Sequence, residues 1–375
     1  MKKWRIEFGD LKLGKTSWDN LADCHKSNWV AGGAKVAKFE EEWGKIFNYP
    51  FSKATSSGTD AGICAVASLY DLGASRGDEI IVPSLSFIAT SNAVLAAGFI
   101  PKFVDVGIES MNLDPEKVEA AIGPQTKAIQ CVSTMGKPCN MAALRDIADR
   151  HKLVLLVDNC EGHGCKFDDK YMGHWGDVST YSFYVAHLIC ASEGGMVSTT
   201  RQDIADAVNS VRTHGRRDGH LFFDHVRWGI NAKMTDLEAS LGLEGVENFW
   251  WTFNTRKNNL LKLLDLTKDL ADHCWFVKEE SNEVVCPHAF SVILKDPTRD
   301  AKKLMSFLED RGIKCKRNFG CIPTQHEAFA WMGHQIGDFP NAEYVGSNGL
   351  HFGCHQYLTE DDLVFASDCL HEYFA

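Results

Sequence analysis

The sequence predicts an α/β protein: a large domain built on a mostly parallel sheet covered by helices, followed by a smaller carboxyl-terminal α+β domain. Three observations carry that expectation. From about residue 56, short β-branched runs alternate with helical patterns, which is how parallel strands joined by crossover helices read in a sequence. The chain has 375 residues, more than one ordinary core of about 150 residues holds, so a companion unit is expected. Finally, 45% hydrophobic and 24% charged residues, with 31 glycines and only 10 prolines, describe a packed core without a long low-complexity tract.

In chain order, strands are expected at 79–84 (EIIVPS), 101–106 (PKFVDV), 127–133 (KAIQCVS), 153–159 (LVLLVDN), 179–183 (STYSF) and 194–200 (GGMVSTT). Between them, DPEKVEAAI reads as a helix capped by Asp114 with Pro115 at its first position, and NMAALRDIADRHK as one capped by Asn140. A long helical stretch starts at Met234 and passes through Phe249-Trp250-Trp251-Thr252-Phe253, whose spacing suits core or dimer packing. After it the pattern shifts. AFSVILK (289–295) reads as a strand, the segment from Asp300 as a helix, and the chain closes with a helix after Leu358, where Thr359 and Asp362 make a capping box. The boundary is placed near residue 250, giving a large domain over 1–250 and a small one over 251–375.

Composition bounds the partners. Lys and Arg number 39 against 50 Asp and Glu, a net charge of −11, so attraction to nucleic acid or to an anionic membrane is not expected. A local basic pocket for a phosphorylated ligand stays open. The lysines of MKKWRIEFGD precede no apolar run of leader length, and no stretch approaches 18 apolar residues, so a cytoplasmic protein is expected. Among the 13 cysteines there is no C-x-x-C and no C-x-C, which points to buried thiols of a reduced compartment and away from a zinc ribbon.

Several segments carry chemistry. Ser56-Ser57-Gly58-Thr59-Asp60-Ala61 opens a helix with small residues that expose backbone N–H groups, either as a phosphate cradle or as an ordinary capped start. Asp158 ends the apolar run LVLLV, where a carboxylate could hold a cationic ring nitrogen or merely cap a turn. Ser192-Glu193-Gly194-Gly195 reads as a tight turn. His351 and His355 lie four apart, but the glycine between them argues for a strand running into a loop, and no metal is expected.

Taken in order, SSGTDA, VPSLSFIATSNAV, VDNCEGHG, YSFYVAH with SEGGMV, and WGINAKMTDLEASLG resemble the DegT/DnrJ/EryC1/StrS family of sugar aminotransferases from about residue 25 onward. The resemblance implies the fold-type I architecture and pyridoxal 5'-phosphate, interconverting with pyridoxamine 5'-phosphate. It implies that Ser57, Gly58 and Thr59, helped by Ser182, cradle the cofactor phosphate. Phe87 would stack on the pyridine ring, Asp158 pair with its nitrogen, and Glu161 lie near its phenolic oxygen. Asn231 would reach the phosphate of a neighbouring subunit, so a homodimer with shared active sites is implied.

The departure from the family pattern is His187, which stands five residues after Ser182 where aminotransferases carry lysine. A lysine amine bonds covalently to the cofactor aldehyde and then shuttles a proton; an imidazole makes no such stable bond but moves protons near neutral pH. Histidine here also resembles the sugar 3-dehydratases such as GDP-4-keto-6-deoxymannose 3-dehydratase. That resemblance implies deoxygenation of a keto sugar with L-glutamate as amino donor. Without C-x-C spacing, no iron–sulfur cluster is expected. Glu193, six residues after His187, follows the aminotransferase spacing and keeps an aminotransferase as the alternative; a noncatalytic member is a further one. Arg212 and His214, beside Arg216 and Arg217, are candidate anion contacts of the substrate, while Lys233 and Arg317 are expected to be structural.

Overall fold

The computed structural model describes residues 4–217, 219 and 223–375, so Lys2 and Lys3 lie outside the described residues. Its main sheet has seven strands: β1 (Phe51–Thr55), β2 (Glu79–Pro83), β3 (Ile100–Val104), β4 (Thr126–Val132), β5 (Val154–Asp158), β6 (Val178–Ser182) and β7 (Gly195–Thr199). Their spatial order is β1-β7-β6-β5-β4-β2-β3, and the five strands from β3 to β6 in that order run parallel. β7 alone runs the other way, pairing antiparallel with β6 on one side and with the edge strand β1 on the other. Helices cover both faces, which is why β5 reads as a continuous apolar run instead of an alternating one and β7 is buried along its whole length.

β1 is absent from the strands expected above, because FSKAT carries Ser and Lys in an edge position and reads as polar. Ser52 is nevertheless buried, with its hydroxyl 3.0 Å from that of Ser198 on β7. Also unexpected is the amino-terminal pair of helices, Lys15–Ser27 and Ala34–Phe47. The second inserts Phe39, Trp43 and Phe47 beneath the sheet, with ring centroids 4.9 Å (Phe39) and 5.2 Å (Trp43) from Phe183. That aromatic cluster anchors the residue that opens the loop bearing His187.

The helical stretch expected to be continuous is two helices, Asp236–Glu247 and Phe249–Leu266, parted at Asn248 (φ −94°, ψ 5°). The expected boundary at residue 250 falls in the second of them. Beyond it, β8 (Cys274–Phe276), β9 (Phe290–Leu294), β10 (Cys315–Arg317) and β11 (Gly349–Phe352) form an antiparallel sheet in the order β8-β9-β11-β10. Helix Ala301–Asp310 is capped by Asp300, and helix Glu360–Phe374 starts with both hydrogen bonds of the Thr359/Asp362 box. One buried cluster runs from Ile80 and Val82 to Val292 and Leu350, so the two sheets share a core. The amino-terminal segment joins it, with Ile6 bridging to Ile313. Among the described residues, no helix is long and apolar enough to cross a membrane.

Candidate active site

The carboxyl ends of the parallel strands meet the start of helix Gly58–Ala67, the place where open α/β sheets hold ligands. Ser57 caps this helix: its hydroxyl accepts from Asp60 N–H at 3.0 Å, and both Ser56 (2.6 Å) and Ser57 (3.0 Å) donate to the Asp60 carboxylate. The helix start is pressed close to its neighbours. A Cβ on Gly58 would stand 2.6 Å from Cβ and 2.9 Å from Oγ of Ser182, and one on Gly195 only 2.3 Å from the carbonyl oxygen of Ser57. Only glycine permits this approach, and it brings Ser57, Gly58, Thr59 and Ser182 to one corner with the first-turn N–H groups. Such a corner fits a phosphate.

Asp158 ends β5 one strand away. One of its carboxylate oxygens accepts from the Thr90 hydroxyl at 2.8 Å, and the other from Cys160 N–H at 3.3 Å. Phe87, before helix Ala89–Ala96, is 61% exposed and stands near Phe319, with centroids 6.2 Å apart. An exposed aromatic ring beside an oriented carboxylate fits a flat heteroaromatic ring. Glu161 follows in the turn after β5, its Oε2 accepting from Met135 N–H at 2.7 Å and its Oε1 lying 3.5 Å from His288 Nε2. Burial pushes this carboxyl up to about 8, with the charge of Asp158 adding to the rise while the Met135 N–H and Lys316 oppose it. At neutral pH it is largely a protonated acid able to donate.

His187 sits in the irregular loop joining β6 to β7. Its ring stacks on His163 with centroids 5.8 Å apart and lies 5.2 Å from His288 at a tilt of 31°, and its Nδ1 is buried without a partner among the described residues. Burial, and after it the positive charges of Arg256 and Lys316, lower its pKa to about 3. Against the expectation of an imidazole titrating near neutrality, in the protein alone this burial keeps His187 neutral across the physiological range, with its ring nitrogen open to a proton but less basic than a free imidazole.

The remaining candidates stand apart from this centre. Arg212 does not offer its guanidinium to a ligand, because it is taken up by Glu40 (2.6 Å), the carbonyl of Ala54 (2.6 Å) and Asn209 (2.9 Å). The expected anion contact is instead a brace beneath β1. His214 is exposed in a left-handed turn (φ 68°), and its carbonyl accepts from the His225 ring at 2.8 Å. Asn231 is exposed next to the phosphate corner, where Thr55 bridges to Lys233 and Ser56 N–H donates to Ala232 O at 3.0 Å; its side chain accepts from Lys233. Arg217 pairs with Asp224, Arg216 lies over the Phe223 ring, and Arg317 donates to the carbonyl of Gly346. His351, on β11, has its Nδ1 2.9 Å from the Asn318 side-chain oxygen, and His355 follows in the next loop.

Four residues at the centre were not singled out from sequence. His163 lies two residues after Glu161, inside a motif already noted. His288 and Lys316 come from the carboxyl-terminal half, and nothing local marks them. Arg256 had a usable signal, since it occupies the buried stripe Phe249, Thr252, Phe253, Asn259, Leu260, Leu263, where an arginine on an apolar face calls for a reason.

Known proteins share this architecture. GDP-4-keto-6-deoxy-D-mannose 3-dehydratase of Escherichia coli O55:H7 is 29% identical, over 96% of this chain and 98% of that one. GDP-perosamine synthase of Caulobacter vibrioides is 32% identical, over 96% and 95%. Among solved structures, the E. coli 3-dehydratase with bound hydrated PLP aligns with a TM-score of 0.89 at 25% identity, covering 98% of this chain and 100% of that one. Helicobacter pylori PseC, an aminotransferase of pseudoaminic acid biosynthesis, aligns with a TM-score of 0.91 at 21% identity over 100% and 99%, a likeness of fold. The pattern of one family matches residues 12–368, and the chain belongs to it: the DegT/DnrJ/EryC1/StrS aminotransferase family, pyridoxal-phosphate enzymes that include sugar aminotransferases and sugar dehydratases.

Proposed function

We propose that the chain is a sugar 3-dehydratase that removes a hydroxyl from a nucleotide-linked keto sugar, with L-glutamate as amino donor. The observation that carries this reading is His187, a neutral imidazole in the loop where an aminotransferase needs a lysine amine. When bound, the cofactor supplies a conjugated electron sink next to the reacting carbon. Ser57, Gly58, Thr59 and Ser182 hold its phosphate at the helix start. Asp158, oriented by Thr90, keeps the ring nitrogen protonated, and Phe87 flanks the ring. Glu161, carrying its own proton, donates toward the phenolic oxygen. His187 would accept a proton and return it to the departing hydroxyl, so that water leaves, and it would form no lasting covalent bond to the cofactor.

In this reading residues 1–250 form the cofactor-binding domain, and residues 251–375 form a small domain that lends His288 and Lys316 to the site. Two copies assemble so that Asn231 of each meets the phosphate of the other. The thirteen free cysteines suit the cytoplasm. A second reading, transamination to an amino sugar, is favoured by the six-residue step from His187 to Glu193 and by the likeness to GDP-perosamine synthase.

One assay separates the two. The protein is incubated with pyridoxal phosphate, glutamate and a panel of nucleotide-linked keto sugars, and ammonia and amino sugar are measured. Ammonia together with loss of water from the sugar is expected. An amino sugar without ammonia would sink the dehydratase reading.

A further inference from the structure

Arg256 is 1% exposed, on the helix Phe249–Leu266. A guanidinium taken out of water is costly unless its donors are satisfied, and the usual answer is a carboxylate. Among the described residues no carboxylate lies within ion-pair reach of it. Its donors go to the carbonyl oxygens of Ala186 (3.1 Å) and His187 (3.4 Å) and to the side-chain oxygen of Gln356 (2.7 Å). The chain from Phe183 to Gly194 forms neither helix nor strand, so its buried carbonyls depend on partners outside the segment. Its own internal ties are Phe183 N–H to Gly194 O, His187 N–H to Tyr184 O and Ala191 N–H to Phe183 O, each 2.9 Å, with Ser192 N–H to Cys190 Sγ at 3.4 Å; none of them takes up the carbonyls of Ala186 and His187. On the other side the amino-terminal segment packs against it, close enough that a Cβ on Gly9 would meet Val185 O at 3.0 Å.

We propose that Arg256 is a positioning residue that clamps the backbone of the His187 loop and so aims the imidazole. The proposal rests on the reading of His187 as the proton acceptor, but the clamp itself has consequences independent of catalysis. A planar guanidinium with a fixed fork of donors spans two successive carbonyls and a third acceptor at once; the point charge of a lysine does not. Arg256→Lys therefore keeps the charge and loses the clamp, whereas Arg256→Met loses both. The charge acts on His187 alongside Lys316 from β10; the uncharged rings of His288, ahead of β9, and His163, after β5, also face it, with Glu161 behind His288.

The test uses the full-length protein in two states. Without cofactor, amide hydrogen exchange is followed over residues 183–191, together with the ring-proton NMR titration of His187. With pyridoxal phosphate bound, the rate at which L-glutamate converts the cofactor is followed by absorbance. In Arg256→Lys, exchange in 183–191 is expected to rise selectively, and the glutamate rate to fall ~10- to 100-fold with little change in the glutamate concentration needed. In Arg256→Met the His187 titration is also expected to move upward. A folded Arg256→Lys protein with unchanged exchange and rate overturns the proposal. Should that variant fail to fold, Gln356→Ala, which frees one end of the guanidinium, is expected to loosen the same segment to a smaller degree, and unchanged exchange there overturns it equally. His187→Asn retaining full activity would refute the reading of His187 while leaving the exchange result to judge the clamp.

Discussion

Two loops meet at the site and are held in opposite ways. The side-chain bonds of the Ser56–Asp60 turn are local, its serine hydroxyls, the Asp60 carboxylate and the helix N–H groups all lying within four residues of one another, although the turn also packs on Ser182 and Gly195. The His187 loop has a few bonds of its own, but the carbonyls around His187 and the face of its ring are held from afar, by Arg256 some 70 residues on and by the His288 ring about 100 residues on. A local device survives changes elsewhere in the chain and shows itself in sequence. A remote one depends on the complete fold, so the chemistry assigned to it should be the more fragile part of the site.

The largest expected effect breaks the remote side. His187→Asn should lower the rate of cofactor conversion by glutamate by ~10²- to 10⁴-fold with the melting temperature little changed. His187→Lys should gain a borohydride-reducible adduct with pyridoxal phosphate, detected by mass; such an adduct in the unaltered protein would contradict the role given to His187.

Next comes pH. His187 and His351 are lowered to about 3 and His355 to about 4, with His163 and His288 also well below their ordinary value, in each case mainly by burial. Above about 6.5 these rings are neutral whether the chain is folded or not. Below it only the unfolded chain takes up protons, so stability should fall as pH drops from about 6.5 toward 3 to 4, by about 1.4 kcal/mol per pH unit for each ring held neutral. Glu161 behaves in the reverse sense: raised to about 8, it contributes most below about 4.5, and that contribution is lost as pH rises through 8. Denaturant melts at several pH values should show a shallower acid limb for His288→Gln and a flatter alkaline limb for Glu161→Gln. Unchanged limbs would mean that these groups titrate normally.

The local side should break more gently. Gly58→Val places a Cβ against Ser182, and overpacking of this kind costs about 1–3 kcal/mol. The affinity for pyridoxal phosphate, measured by fluorescence, should fall while the His187 titration stays put. Smallest is Ser57→Ala, which removes the cap of helix Gly58–Ala67 and should lower stability by about 1 kcal/mol. If Ser57→Ala disturbed the His187 loop as strongly as Arg256→Lys, the contrast between the two loops would not hold.

The same contrast explains what could be read in advance. Alternating periodicities located six of the seven strands of the main sheet because both its faces are covered, which forces long apolar runs; β1 escaped because an edge strand with Ser52 and Lys53 needs no such run. The caps at Asp114, Asn140 and Thr359 were legible because each is a side chain bonding to its own helix start within three residues. Among the candidate site residues, Ser57, Gly58, Asp158 and Ser182 lie at strand ends or a helix start, positions the strand–helix pattern itself defines. The bond from Arg212 to Glu40 was out of reach of the sequence, because the two lie 172 residues apart and no spacing rule connects them.

By itself, then, the sequence determined the strand–helix alternation behind the layered architecture and the small-residue start of the helix at Gly58, both of which depend on short-range geometry, while its resemblance to the family is what singles out His187. Only the tertiary structure decided how that histidine behaves. Its company of His163 and His288, its neutrality and its clamp by Arg256 arise where the second sheet closes against the first, and burial between two distant parts of a chain is a property that no stretch of either part contains.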